Sequence, residues 1–134
     1  MPITLEVDAA RRRLRTTIEG PVTVAEAATH LESLVARSLE GFSELIDASR
    51  ARGPGWFSAD VRRAADLVVA AKGAARFGPR AVVVSTSAAF GMVRMFSVLI
   101  GSRLRLEVFR DVESAEKWLD GASATAETSE TSGT

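Results

Sequence analysis

The chain has 134 residues, 46% of them hydrophobic and 25% charged, which is the size and apolar content of one globular domain with one core and excludes a disordered chain. Seventeen Lys and Arg balance seventeen Asp and Glu. That leaves no cationic surplus to displace counterions from nucleic acid or to draw the molecule to an anionic membrane. With no cysteine, disulfides, thiolate metal sites and a cysteine nucleophile are excluded as well.

The opening residues, Met1 to Asp8, lack the basic region and apolar stretch of a signal peptide. No run approaches the roughly 18 to 20 apolar residues of a spanning helix. A cytoplasmic location without stable membrane anchoring is therefore expected. Ile3, Leu5 and Val7 alternate with Thr4, Glu6 and Asp8, and Leu14, Thr16 and Ile18 alternate with Arg13, Arg15 and Thr17. Two period-two runs around a short polar break predict an antiparallel hairpin. Arg11, Arg12, Arg13 and Arg15 are read as the turn and the solvated face of its second strand, not as a basic patch.

Gly20-Pro21 stops that strand. Thr23 with Glu26 has the spacing of a capping box, and Val24, Ala27, Ala28, Leu31, Leu34 and Val35 form one apolar helix stripe. His30, the chain's one histidine, is read as a surface residue off that stripe, and no metal site is proposed. Gly41 closes the helical region. Phe42 to Asp47, with Leu45-Ile46 at its centre, reads as a buried strand. A loop from Ser49 to Phe57 follows, holding Gly53-Pro54-Gly55 and the aromatics Trp56 and Phe57.

Ser58 is placed to cap the next helix, with Asp60 in its first turn. The stripe Val61, Ala64, Ala65, Val68 and Ala71 is rich in small residues, which lets a helix lie close to a sheet. Ala81 to Val84 is a continuous apolar run, as in a strand covered on both faces. Ser85-Thr86-Ser87 supplies a cap for a third helix with Val93, Phe96 and Ile100 on one face, widened by Met92, Met95 and Leu99. Leu104, Leu106 and Val108 mark a fifth strand. Asp111 caps a short helix whose Ala115, Trp118 and Leu119 face inward. From Ala122 to Thr134 nothing apolar is larger than alanine, so residues 122–134 are expected to be a disordered tail after a domain of residues 1–121.

The predicted fold is α/β, in the order β-β-α-β-α-β-α-β-α, with a mixed five-stranded sheet whose later strands are parallel and about four helices. That order, together with Leu45-Ile46-Asp47, Phe57-Ser58-Ala59-Asp60-Val61-Arg62, Phe90-Gly91-Met92-Val93-Arg94-Met95-Phe96 and Val108-Phe109-Arg110-Asp111 leading to Ala115-Glu116-Lys117-Trp118-Leu119, resembles the STAS domain. Within it the likeness is to the SpoIIAA-like, or STAS/SEC14-type, family, over about residues 2 to 120. The resemblance implies a non-enzymatic, regulatory, protein-binding module, as in bacterial signalling. In the anti-sigma-factor antagonists of the STAS family a serine opening the second helix is phosphorylated. Ser58 falls at that place, but the paired serine and following glycine of the family motif are missing, and a serine there is explained by capping alone.

Three functions compete. As an interaction module, the chain would present Asp47, Ser49, Ser85 and Thr86, with Trp56 and Phe57, on the edge where the parallel strands end. Its partner would be another protein, and a homodimer is the commonest symmetric assembly. As a carrier of an apolar, lipid-like ligand, which the SEC14 side of the resemblance suggests, it would line a pocket with Phe90, Met92, Met95 and Phe96. Such a stripe also serves as plain core, and a short chain has little volume for a lipid-sized cavity. Catalysis has no support: His30 lacks a triad context, Gly53-Pro54-Gly55 is no phosphate loop, and no cofactor is expected.

Overall fold

The alternation that opens the chain folds into an antiparallel hairpin, β1 (Ile3–Asp8) and β2 (Arg13–Glu19), in register from Ile3 opposite Ile18 to Asp8 opposite Arg13. A computed structural model describes residues 3–51, 58–70 and 77–132, with Ser58 and residues 123–132 described by their backbone alone. In the hairpin turn, Arg12 N–H donates to the Ala9 carbonyl and Arg11 N–H to the Asp8 carboxylate. This is the local side-chain closure that makes Asp a turn residue.

The chain continues through α1 (Val24–Ala36), β3 (Ser43–Arg50), α2 (Ser58–Ala70), β4 (Arg80–Val83) and α3 (Ser87–Ile100). A single 3-10 turn over Gly101–Arg103 leads to β5 (Leu106–Phe109) and α4 (Val112–Ser132). The sheet order is the chain order, β1 to β5, and β2, β3, β4 and β5 run parallel. This is the mixed five-stranded α/β arrangement that the pattern predicts. Among the described residues no helix is long and apolar enough to cross a membrane.

Local chemistry fixes the helix ends. The Thr23–Glu26 capping box opens α1, Thr86 accepts from Ala89 N–H at the start of α3, and Asp111 accepts from Ser114 N–H at 2.7 Å at the start of α4. The backbone and hydroxyl bonds from Ser114 hold the Asp111 carboxyl below its ordinary range. Each cap satisfies a donor that the helix itself cannot. Helix α1 ends at Ala36, before the expected stop at Gly41. Ser38 takes φ +57°, its N–H donates to the Val35 carbonyl, and Leu39 N–H donates to the Leu34 carbonyl at 2.8 Å. Leu34 and Leu39 pack together beneath. That is a Schellman ending with serine where glycine is usual.

Two faces of the sheet are covered differently. On one, Leu45, Ala81 and Val83 meet Ala115 and Leu119 of α4, closed by Phe109 and Trp118 with ring centroids 5.9 Å apart. On the other, Val82, Val84 and Val108 meet Phe90 and Val93 of α3. There α2 packs on α3, joining Ala65 and Val68 to Ile100 and Leu104. Arg13 departs from the solvated face expected of it. It is buried, with Nε donating to Ser43 Oγ at 2.9 Å and a terminal nitrogen 3.0 Å from Asp120 of α4. Helix α4 runs on to Ser132, through the stretch where no order is expected after residue 121. Its alanines and glutamates are good helix formers, and they extend a helix already anchored through Ala115, Leu119 and buried Ala122.

Gly78 N–H donates to the Glu40 carbonyl, and a Cβ at this position would lie 2.6 Å from the carbonyl oxygens of Gly41 and Phe42. Gly78→Ala is expected to lower stability by about 1–3 kcal/mol through that backbone clash. Ser38→Gly is expected to raise it by about 1 kcal/mol by relieving the left-handed serine. Urea denaturation of both variants checks the pair of opposite signs.

Candidate functional site

Residues 44, 46 and 48 of β3 and 80, 82 and 84 in and after β4 point to the face shared by α1, α2 and α3, because side chains alternate along a strand. Glu44 and Arg80 are register partners on this face, and both are buried. Glu44 Oε1 and Arg80 Nε lie 3.3 Å apart, an ion pair without hydrogen-bond alignment. Thr16 Oγ1 of β2 donates to Glu44 Oε2, and His30 Nε2 of α1 lies 2.8 Å from the same oxygen. Arg80 Nη1 donates to the carbonyls of Phe42 and Gly78, its guanidinium lies over the Phe77 ring, and Nη2 is buried without a partner.

Burial pushes the Glu44 carboxyl up, but the His30 hydrogen bond, the Arg80 charge and the Thr16 hydrogen bond together hold it below its ordinary range. Burial pulls the Arg80 guanidinium down, against the carboxylates of Glu44 and Glu40. Glu44 is thus a carboxylate that only accepts, so Nε2 of His30 carries the proton between them. The surface position expected for His30 is corrected: its side chain is 12% exposed and turned inward. His30 stands three residues after Ala27 and four before Leu34, the helix spacing that signals an inward position. Glu44 and Arg80 had a signal too, as opposite charges each placed just before the apolar run of two adjacent strands.

Above this cluster, between the sheet and helices α1, α2 and α3, lies a cavity of about 910 Å³. Ile18, Ile46 and Val82 form part of its floor, and Leu31, Ala64 and Phe96 part of its helical wall. His30, Glu44, Arg80 and Thr16 line it where β3 and β4 begin, and Ala51, Ser85 and Thr86 line it beyond their other ends. Small residues on α2 were expected to bring that helix close to the sheet. Instead α2 rests on α3 and α1, and its small side chains leave space. The expectation of little spare volume is likewise overturned, since small-molecule sites span about 300–1,000 Å³.

Of the side chains expected at an apolar site, Met92 and Phe96 line the cavity. Phe90 packs into the core with Val82, Val84 and Val108, and Met95 is half-buried outside the lining. At the other end of the strands, Ser49 N–H and Oγ donate to Asp47 at 3.0 and 2.6 Å, and Ser85 Oγ donates to the Ser49 carbonyl at 3.0 Å. Thr86 follows as the α3 cap. The structure therefore joins Asp47, Ser49 and Ser85 by hydrogen bonds at this edge, with Thr86 next in the chain. Trp56 and Phe57 lie outside the described residues, and Ser58 is described only as the first residue of α2.

No protein-family model and no curated protein matches the chain. Among solved structures it is similar to an uncharacterized protein of the DUF3478 family from Shewanella loihica PV-4, described as having a SpoIIAA-like fold. The two share 20% identity and a TM-score of 0.58, over 87% of this chain and 91% of that one. The chain thus has the SpoIIAA-like, STAS-type fold that its sequence resembles.

Arg80→Met is expected to cost about 3–5 kcal/mol, because it strands a buried carboxylate, while Glu44→Leu with Arg80→Met recovers most of the loss. A double-mutant cycle in urea measures both. With its folded pKa lowered, Glu44 adds stability that is full above its ordinary 4.5 and lost as pH falls through the folded value. Glu44→Gln is therefore expected to flatten the acid limb of the stability profile, leaving only the weaker dependence from exposed groups such as Asp111.

Proposed function

We propose that this STAS-type module is non-catalytic and holds an apolar small molecule between its sheet and helices α1 to α3. One observation carries the reading: a largely apolar cavity of about 910 Å³ where the helices stand away from the sheet. Apolar walls of this extent gain stability when an apolar ligand covers them. Its walls come from eight elements of secondary structure, β1 to β5 and α1 to α3, so filling it would brace the sheet and those three helices at once.

A second reading, docking of a partner protein, is favoured by the exposed Ser85 and Thr86, which sit on the strand-end edge and also line the cavity. A partner bound there would sense whether the cavity is filled, which makes a regulatory role compatible with ligand binding. Phosphorylation at Ser58 belongs to this second reading.

The neutral dye N-phenylnaphthylamine is expected to bind one per chain with enhanced fluorescence. Ala28→Phe, which projects a ring from α1 into the cavity, is expected to weaken it roughly tenfold, the loss of about 1.4 kcal/mol of apolar contact. Native mass spectrometry of protein from its own cells is expected to show extra mass that denaturation removes. Protein that carries no ligand and binds no dye overturns the carrier reading and leaves protein docking.

A further inference from the structure

The largely apolar cavity has a buried polar cluster where β3 and β4 begin, and the bonding there defines what a ligand's head group must do. Nε2 of His30 is committed to Glu44, whose Oε2 also takes the Thr16 hydroxyl. The imidazole lines the cavity, and among the described residues its Nδ1 has no hydrogen-bond partner. Beneath it, Nη2 of Arg80 is a donor buried without an acceptor, on a side chain 1% exposed that also lines the cavity. Together they form a polar patch in a mostly apolar lining.

Charge decides which head group fits. Glu44 and Glu40 both act on Arg80, so two carboxylates face one guanidinium. A carboxylate or phosphate head would add a third buried negative charge, and an ammonium head reaching Glu44 would meet a like charge, the Arg80 guanidinium, 3.3 Å from Oε1. A hydroxyl adds no charge. It donates to Nδ1 when the ring is neutral and accepts from it when the ring is protonated, so it is matched in either state. We propose that the cavity takes a long apolar alcohol, with its hydroxyl on His30 Nδ1 and its chain running along β3 toward the Ser85–Thr86 edge. From Glu44 to Arg50 is six strand steps, about 20 Å at about 3.3 Å per residue, a run suited to an extended alkyl chain. The inference rests on the cavity being a ligand site, and it adds the polarity of the ligand and the direction in which it lies.

Tetradecanol, tetradecanoate and tetradecane, delivered from cyclodextrin, would compete with bound N-phenylnaphthylamine at neutral pH. Tetradecanol is expected to displace the dye about tenfold more strongly than tetradecane, as one buried hydrogen bond allows, and more strongly than tetradecanoate. In His30→Phe that advantage should vanish while the dye still binds. Because the chain has one histidine, its ring nitrogens give a single set of nitrogen-15 signals. The Nδ1 resonance of the unmutated protein should move with tetradecanol and stay put with tetradecane, a readout that needs no variant to fold. Equal displacement by alcohol and alkane, stronger displacement by the carboxylate, or an Nδ1 signal indifferent to the alcohol overturns the head-group inference while the carrier reading stands. Failure of the dye itself to bind overturns both.

Discussion

A carboxylate with no exposed surface, at the second residue of a central strand, holds three other elements to itself. Glu44 accepts from Thr16 on β2 and from His30 on α1, and it faces Arg80 on β4. Arg80 in turn reaches the carbonyls of Phe42 and Gly78, the segments that enter β3 and β4. A buried ion pair contributes little net stability, because desolvation offsets its attraction. What it supplies is geometry. Opposite charges must meet, so β3 and β4 settle in one register, and a polar contact draws α1 to the sheet beside the apolar one of Leu34 on Leu14.

That sparse attachment explains the unevenness of the molecule. On the α4 face, aliphatic side chains from β3 and β4 interlock with Ala115 and Leu119, and Arg13 and Arg15 reach from β2 to Asp120 and Glu116 to cover the remaining strip. On the other face, α1 touches the sheet through His30 and through Leu34 on Leu14, while α2 leans on its helical neighbours. The strands there still present Ile46, Ala48 and Val82, with volume above them instead of a close-packed helix. Dense packing is the rule in protein interiors, so a chamber of this size is a departure that the polar clamp at one end makes sustainable.

Strand alternation, capping boxes and Gly-Pro breaks made the element order legible in the sequence, because those signals are local and each carries its own mechanism. The Thr23–Glu26 box and the Asp111 cap are examples, and both form as their spacing implies. The site was much less legible. His30 reads as a surface residue until Glu44 is brought beneath it, and Glu44 reads as a strand-entry charge until Arg80 lies opposite. Each member looks ordinary alone, since its meaning comes from a partner at least fourteen positions away. Of the cavity, Met92 and Phe96 were legible as side chains of an apolar site, but its volume was not. Small residues on α2 are equally compatible with a helix pressed to the sheet and with one held off it, and only the packing of α2 on α3 separates the two.

The strand order has a consequence for how the molecule comes into being. Because β1 to β5 lie side by side in the sequence of their synthesis, every strand that leaves the ribosome finds its edge already waiting, and no strand must be held open for a later insertion. Domains are built from the N-terminus onward as they emerge, and here the sheet grows by simple accretion. The apolar strip of Leu45, Ala81 and Val83 is the exception, for its cover is α4, the last helix to appear. A nascent chain stalled before Val112 carries a completed sheet with one bare side, so translation of the final helix is the step that turns an adhesive intermediate into a finished domain.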